Sequence, residues 1–457
     1  MASKESFKFD KFLVVDNEDT STSVDLRSGV AEITYRESIF LPYIVVEAKI
    51  ADTGNSVTVD GRVMSTLEGI KCQGLEKIEV KITDTTEEEN IIDFTGDNAL
   101  RLSGTTEINT SFKTDTFHLS AVANEAFDNL LLETECRELY TGKISEVVKK
   151  IVANNLGSTK NFNHIDITEN SISQQGFSRK PFDMILDLQK LSIPQGILTD
   201  DGKSSRGNMA GYLFWMSHDG YYYKSLDNLF SYGGSYLNYY DNKGAKIKNY
   251  IETKRGDAKI PPGFDDNILY YRTYRTMDAL RQFEEGAFGT LLETWDPLTN
   301  TFTKTNEVTT DKDGNGVRAG KSLPNLGDYA SKPTVRLTQS KLKGQTVLRG
   351  DSVTQQVAKT EAENYSVDDV TQQSLQNYKQ KMNMSAEIII PGDFSLHAGD
   401  IIYCEFPQTS LDKTVRRSTN RNSGIYMIAD LCHFGNRSKT FTGLHLVRDS
   451  YGVKSNG

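Results

Sequence analysis

The feature that most constrains the fold is a run of short strand patterns bounded by turns near the C-terminus. Residues 388–391, 401–406, 425–430 and 440–447 are apolar and rich in β-branched residues, and Pro, Gly, Asn and Asp residues separate them. Such segments are typical of β-strands joined by tight turns. Four strands of this length bury little surface alone. We therefore expect them to close into a small barrel with other parts of the chain.

A second β-rich region lies at the N-terminal end. Residues 30–36 and 44–50 alternate in polarity, and residues 76–82, EKIEVKI, alternate charged with mainly apolar side chains. A period of two places the apolar side chains on one face of a strand. We expect a first β-domain over residues 1–120.

The pattern changes in the middle of the chain. Apolar residues recur at helical spacing in residues 143–154, and residues 181–191 form a second helical pattern that begins with a proline. Residues 211–226 indicate a hairpin. We interpret the Gly-, Tyr- and Asn-rich residues 232–260 as a loop. The sequence thus predicts an α+β domain over residues 121–265.

The last part of the chain, residues 266–457, returns to strand patterns. Residues 289–306 predict a hairpin with a proline in its turn, and residues 366–382 predict a helix that leads into the C-terminal strands. The fold class expected for the whole chain is therefore α+β, predominantly β.

Composition narrows the function. The chain has 457 residues, enough for two to four domains, and its net charge is −10 from 52 basic and 62 acidic side chains. Affinity for nucleic-acid phosphate comes from Lys and Arg, so tight duplex binding is a poor hypothesis. Residues 1–10 contain no apolar signal segment, and there is no apolar run of 18 residues. We expect no signal peptide and no membrane insertion.

One stretch partly matches a calcium-binding loop. Asp311, Asp313 and Asn315 supply oxygen ligands at positions one, three and five, and Gly316 follows. The twelfth position is Ser322 rather than a bidentate glutamate. We favour a plain turn, and no cofactor or metal is predicted; calcium binding stays as the alternative.

The cysteines and histidines offer a second metal hypothesis. The four cysteines are Cys72, Cys136, Cys404 and Cys432. We expect reduced core residues, with a Cys404–Cys432 disulfide as an alternative if their strands pair. A zinc site that adds His433 and His445 is disfavoured, because Cys432 and His433 are neighbours on a strand and point to opposite faces.

No pattern points firmly to catalysis. Ser217, His218 and Asp219 are consecutive, whereas the members of a triad converge from separate segments. No pair of carboxylates stands out, so we expect a non-enzyme. A carbohydrate-active or cell-wall-degrading enzyme and a host-binding protein remain the alternatives.

Tyrosine is abundant, with 21 residues. The clusters are Tyr221, Tyr222, Tyr223, Tyr236, Tyr239, Tyr240, Tyr270 and Tyr271. Packing between strands explains most of them, and a subunit or partner interface is the functional alternative, because tyrosine is enriched at interfaces.

Motifs along most of the chain, taken in their order, resemble those of baseplate central hub proteins of contractile-tailed phages. They are Leu26-Arg27-Ser28-Gly29, Thr141-Gly142-Lys143-Ile144, Gly286-Ala287-Phe288-Gly289, Leu396-His397-Ala398-Gly399-Asp400, Ser423-Gly424-Ile425-Tyr426 and Val447-Arg448-Asp449-Ser450-Tyr451-Gly452. The resemblance implies two tail-tube-like antiparallel β-barrel domains with an inserted α+β domain. Residues 232–262 and 309–327 match nothing in that family.

The resemblance also implies a function. It implies a structural homotrimer that forms a pseudo-hexameric ring and joins the tail tube to the central spike. Its partners would be the spike protein, tube or tube-initiator proteins, the tape measure protein and the baseplate wedge. DNA would pass through the lumen without specific binding. The location would be the virion tail baseplate, after assembly in the host cytoplasm.

Overall fold

The computed structural model describes most of the chain. The described residues are 7–84, 89–195, 197–198, 205–206, 209–230, 247–252, 260, 262–275, 278–296, 300–308, 319–320, 327–329, 332–340, 367–407, 420–436 and 438–452. No helix in these residues combines the length and the apolar character needed to cross a membrane.

Alternating side chains build the N-terminal strands. In residues 45–52, for example, Val46, Ala48 and Ile50 are buried on one face while Lys49 is exposed on the other. The elements are β1 (Phe7–Val15), β2 (Ser23–Asp25), β3 (Val30–Ser38), β4 (Val45–Asp52), β5 (Val57–Val59), β6 (Arg62–Met64), α1 (Thr66–Gly69), β7 (Lys77–Asp84), β8 (Ile91–Phe94), β9 (Leu100–Thr110) and β10 (Asp115–Ala123).

The middle of the chain mixes helices with small sheets. Its elements are α2 (Asn124–Asp128), β11 (Leu139–Lys143), α3 (Ile144–Lys150), which continues as a π-helical turn (Ile151–Asn155), β12 (Phe162–Ile165), β13 (Ser171–Gln175), α4 (Pro181–Leu191), β14 (Ile197–Leu198), β15 (Ser205–Arg206), β16 (Tyr212–Ser217), β17 (Gly220–Ser225) and α5 (Leu226–Leu229). Strands β16 and β17 form the predicted hairpin, and its buried face packs into the same core as the N-terminal strands.

The last part of the chain supplies the remaining elements. They are β18 (Lys248–Ile251), β19 (Asp266–Asn267), β20 (Tyr270–Arg275), α6 (Ala279–Glu284), β21 (Gly289–Asp296), β22 (Thr301–Val308), β23 (Val335–Ser340), α7 (Val367–Lys381), β24 (Met384–Pro391), β25 (Ile401–Glu405), β26 (Gly424–Asn436) and β27 (Lys439–Arg448). Strand β18 corrects the loop that we predicted over residues 232–260, because it pairs in parallel with β25.

The same five-stranded unit occurs twice. The order in the first unit is β7-β9-β10-β4-β3, and in the second unit it is β25-β26-β27-β24-β20. Neighbouring strands are antiparallel in both units. If the five strands of each unit are numbered in the order in which they occur along the chain, both sheets have the order 3-4-5-2-1. Both units carry an extra residue at the same place, Ser103 in β9 and Ala429 in β26. The fold therefore contains an internal repeat.

The two units share one sheet. Strand β3, at the edge of the first unit, pairs antiparallel with the second half of β26, from Asp430 opposite Ser38 to Gly435 opposite Ile33. Among the described residues this joins strands from both ends of the chain into a sheet of 15 strands. The predominantly β, α+β class is confirmed, and we call the contact between β3 and β26 the internal junction.

Candidate functional site

The internal junction is where three parts of the chain meet. Strands β3 and β25 pair with successive parts of the same edge of β26. Where the two meet, the Ile39 N–H donates to the Ala429 carbonyl at 2.9 Å, and the Gly399 N–H donates to the Ile428 carbonyl at 2.8 Å. The turn between β16 and β17 lies against the same place. The middle of the chain therefore contacts both sheet units at this point.

Glycine is required at one position of the junction. Gly399 has a φ of +89°, and a Cβ atom built on it would lie 2.5 Å from Cζ2 of Trp215. Trp215 is fully buried on β16. The loop before β25 can therefore lie this close to the indole ring only without a side chain.

A buried carboxylate, that of Glu37, lies at the centre of the junction. It accepts hydrogen bonds from the Tyr35 hydroxyl at 2.5 Å, the His397 Nδ1 at 3.2 Å and the Ala398 backbone N–H at 2.9 Å. The His218 Nδ1, from the turn between β16 and β17, lies 3.8 Å from the same carboxylate. Glu37 is thus contacted by residues of its own strand, of the loop before β25 and of the β16–β17 hairpin.

The protonation states of Glu37 and His397 follow from their mutual electrostatic interaction. Burial opposes ionisation of Glu37, but the charge and hydrogen bond of His397, together with the nearby His218, outweigh it and hold the pKa of Glu37 well below 4.5. Burial likewise opposes a charge on His397, yet the adjacent Glu37 carboxylate raises the pKa of His397 to about 10. Glu37 and His397 therefore form a buried ion pair at neutral pH.

A third histidine beside this pair has the opposite state. His433 is buried, and its Nδ1 lies 2.9 Å from the Thr442 hydroxyl. Its ring stacks on Tyr35 with centroids 6.0 Å apart. Burial lowers the pKa of His433 to about 3, so this imidazole is neutral at physiological pH.

Three of these side chains lie close enough to be considered as metal ligands. Within the described residues, the ligand atoms of Glu37, His218 and His397 lie within 4.8 Å of one another. The rings of His218 and His397 stack with an interplanar angle of 27° and centroids 5.0 Å apart. Nearly parallel rings direct their in-plane lone pairs side by side rather than at a common point. The carboxylate already accepts three hydrogen bonds, so an ion pair fits the geometry better than a metal centre.

The cysteines and histidines of the zinc hypothesis occupy separate surroundings. Cys404 is fully buried in the core of the second unit, and burial raises the pKa of its thiol. All four cysteines are free thiols. The His445 Nδ1 contacts the Asp430 carboxylate at 2.7 Å, whereas His433 contacts Thr442. These side chains are not brought together on one centre.

The consecutive Ser217, His218 and Asp219 lie where β16 turns into β17. The Ser217 hydroxyl donates to the Asp219 carboxylate directly. His218 instead points towards Glu37 and stacks on His397. The three residues are therefore not arranged as a nucleophile, base and acid.

The remaining candidates divide between core, surface and undescribed chain. Tyr221 and Tyr223 are fully buried, so packing accounts for them. Tyr270 and Tyr271 are exposed on β20. Asp311, Asp313, Asn315, Gly316 and Ser322 lie outside the described residues, as do Tyr236, Tyr239 and Tyr240.

The sequence contains one signal for Glu37 that we did not use. In β3 the residues Ile33, Tyr35 and Glu37 fall on one face, and the first two are buried. A carboxylate at a core-facing position of an alternating strand indicates a buried partner. That partner, His397, is 360 positions away, so the pair itself could be found only from the fold.

Comparison with known proteins places the fold. No protein-family model and no curated protein sequence matches this chain. Among solved structures, a tail protein from Neisseria meningitidis matches with a TM-score of 0.50 and 10% identity, over 97% of each chain. The 43 kDa tail protein of prophage MuSo2 from Shewanella oneidensis gives 0.48 and 11% identity, covering 97% of this chain and 100% of its own.

A third match comes from Escherichia coli. It is a type VI secretion component described as similar to the T4 phage tail proteins gp27 and gp5. Its TM-score is 0.42, with 7% identity over 98% of this chain and 79% of that one. At these identities the matches bear on the fold alone, and of the three only the Neisseria protein reaches a TM-score of 0.50. The resemblance to tail proteins is confirmed at that level: this chain has the fold of a solved tail protein along almost its whole length.

Proposed function

We propose that this chain is a structural, non-enzymatic subunit of a phage-type tail, a baseplate hub that forms a homotrimeric ring between the tail tube and the central spike. The observation that carries the proposal is the internal repeat, whose two units join edge to edge through β3 and β26. The tail-protein fold supports it.

The repeat suits a ring with mixed symmetry. A head-to-tail contact between copies closes into a ring when its rotation fits the number of copies. Three copies of a chain with two similar units would present six similar surfaces to a tube and three to a spike. The partners proposed are therefore the spike, the tube or its initiator, the tape measure protein and the baseplate wedge, in the virion tail.

The domain limits stay part of this proposal. We propose a first β-domain over residues 1–120, an α+β domain over 121–265 and a second β-domain over 266–457. Because β18 pairs with β25, it extends the sheet of the second domain despite its position before residue 266. Closure of the sheets into tube-like barrels is proposed for the assembled ring.

The exposed face of the sheet supports passage of DNA without binding. Arg36 on β3 pairs with Glu47 on β4 at 3.1 Å, and both side chains are about half exposed. Positive charge on this part of the face is thus neutralised by a neighbouring carboxylate. If this face lines the lumen, this ion pair reduces its attraction for phosphate, in keeping with the net charge of −10.

Two assays test this function against its alternatives. Fluorescence anisotropy with a labelled duplex should detect no binding at physiological salt; tight binding that weakens as salt rises would contradict the proposed lumen. Incubation with purified peptidoglycan should release no sugar fragments. Turnover would support the cell-wall-degrading alternative instead.

A further inference from the structure

The internal repeat indicates how one copy contacts the next. Strand β20 of the second unit is equivalent to β3 of the first, because each is the first strand of its unit and pairs with the second. On its other side β3 is covered by β26. Among the described residues, β20 pairs with β24 alone, and Tyr270, Tyr271 and Tyr274 on it are 47%, 37% and 54% exposed. This edge is suited to a partner strand.

A complementary edge lies on the first unit. Strand β9 is equivalent to β26, since each is the fourth strand and forms a hairpin with the fifth. Its first residues pair with β7 on one side and with β10 on the other. Beyond Leu102, in the part that we call the outer half of β9, β10 is the only described strand that pairs with it. Ile108 in this part is 54% exposed. The equivalent half of β26 is the half that β3 covers.

We propose that β20 of one copy pairs antiparallel with the outer half of β9 of a second copy, repeating the internal junction between chains. The proposal rests on the proposed ring and names its contact. Matching the strands of the two units residue by residue gives the register of this contact. Asn109 would lie opposite Arg272 of the second copy, as Phe434 lies opposite Thr34 within one chain. Thr106 would lie opposite Arg275, as Cys432 lies opposite Arg36.

The irregularities of the two strands agree with this register. Between Thr106 and Asn109, β9 has one residue more than the equivalent part of β26. Between Arg272 and Arg275, β20 has one residue more than the equivalent part of β3. Both insertions fall between the pairs Asn109–Arg272 and Thr106–Arg275, so the two strands keep the same register on either side of them. An edge without a matching insertion would lose register here.

The hairpin ends give a second, independent indication. Next to the turn of the β26–β27 hairpin, the Thr440 hydroxyl accepts a hydrogen bond from the Phe7 N–H of the first unit, at 3.1 Å. At the end of the equivalent β9–β10 hairpin, Phe112 is 99% exposed. An aromatic side chain this exposed fits the role of a contact residue. The second unit of another copy would cover it.

Disulfide trapping tests the register directly. Asn109→Cys with Arg272→Cys is made in a Cys432→Ser background, because Cys432 is the half-buried thiol while the other three are buried. Thr34→Cys with Phe434→Cys is the matched control, since these residues lie opposite each other within one chain. Both variants are oxidised at the highest soluble concentration and separated on a non-reducing gel. Each single-cysteine variant is run alongside.

We expect covalent dimers and trimers from Asn109→Cys/Arg272→Cys, an internal crosslink in a monomer from the control pair, and neither from the single variants. If the control crosslinks and the test pair stays monomeric, this contact is wrong. Sedimentation of the uncrosslinked chain then separates the two proposals. A trimer leaves the ring standing with another contact, and a monomer overturns the ring as well.

Discussion

Glu37 shows how a single side chain holds the internal junction. Removing a carboxylate from water is costly, and only good geometry and several donors offset that cost. Here the donors are Tyr35, His397 and Ala398, which come from two different parts of the chain. A buried pair of this kind adds little net stability, because the cost of removing both charges from water offsets their attraction.

Glu37→Gln should destabilise the chain strongly. The substitution keeps the size of the side chain but leaves His397 without its counter-charge, and breaking a buried pair from one side costs about 3–5 kcal/mol. Urea denaturation followed by tryptophan fluorescence measures the loss. Glu47→Gln on the neighbouring strand is the control, because its side chain is 42% exposed and should change stability by about 0.5 kcal/mol or less. Equal losses in the two variants would refute the buried ion pair.

Stability should also fall in alkaline solution through His397. The pKa of His397 is about 10 in the fold against 6.5 when free, so its contribution is complete below pH 6.5 and is lost as the pH rises through 10. The urea midpoints of wild type and His397→Gln should therefore converge over this range. A constant difference between them would show that His397 is not charged in the fold.

His433 should act at the acid side. The pKa of His433 is lowered from 6.5 to about 3 in the fold, so the unfolded chain binds the extra proton first. The neutral His433 therefore contributes to the free energy of unfolding above pH 6.5, and this contribution is lost as the pH falls towards 3. The wild-type midpoint should fall more steeply over this range than that of His433→Gln. Parallel curves would mean that the fold does not lower the pKa of His433.

At the level of elements, local patterns were the most informative. The hairpins predicted over residues 211–226 and 289–306 are present as β16–β17 and β21–β22. Each depends on contacts close in sequence, which periodicity and turn residues report. Strand β18 was missed because its four residues are fixed by β25, a parallel partner about 150 positions away. The internal junction was missed for the same reason.

Gly399→Ala should disturb the junction. The substitution adds strain at a positive φ, about 1–2 kcal/mol, and pushes a methyl group into the buried Trp215 ring, which costs about 1–3 kcal/mol more. Gly96→Ala is the matched control, because Gly96 has a φ of +63° and open space around its Cβ position. Thermal melting should rank wild type first, Gly96→Ala second and Gly399→Ala last. A Gly399→Ala variant as stable as Gly96→Ala would contradict the close approach.

For the whole molecule, the internal repeat is the organising feature. The order of five strands, their antiparallel pairing and one bulge recur in the two units, although the sequence shows no repeat at the residue level. The sequence predicted two β-rich ends, but it did not predict that they form one sheet within the chain. A chain that already joins two units edge to edge offers the same contact to its own copies.

Native mass spectrometry of the purified chain, across a range of protein concentrations, tests this account most directly. The account predicts a complex of three chains and no open assembly of four or more, because a closed ring leaves neither β20 nor the outer half of β9 without a partner strand. A chain that stays monomeric up to its solubility limit, or that forms an isologous dimer, would contradict it.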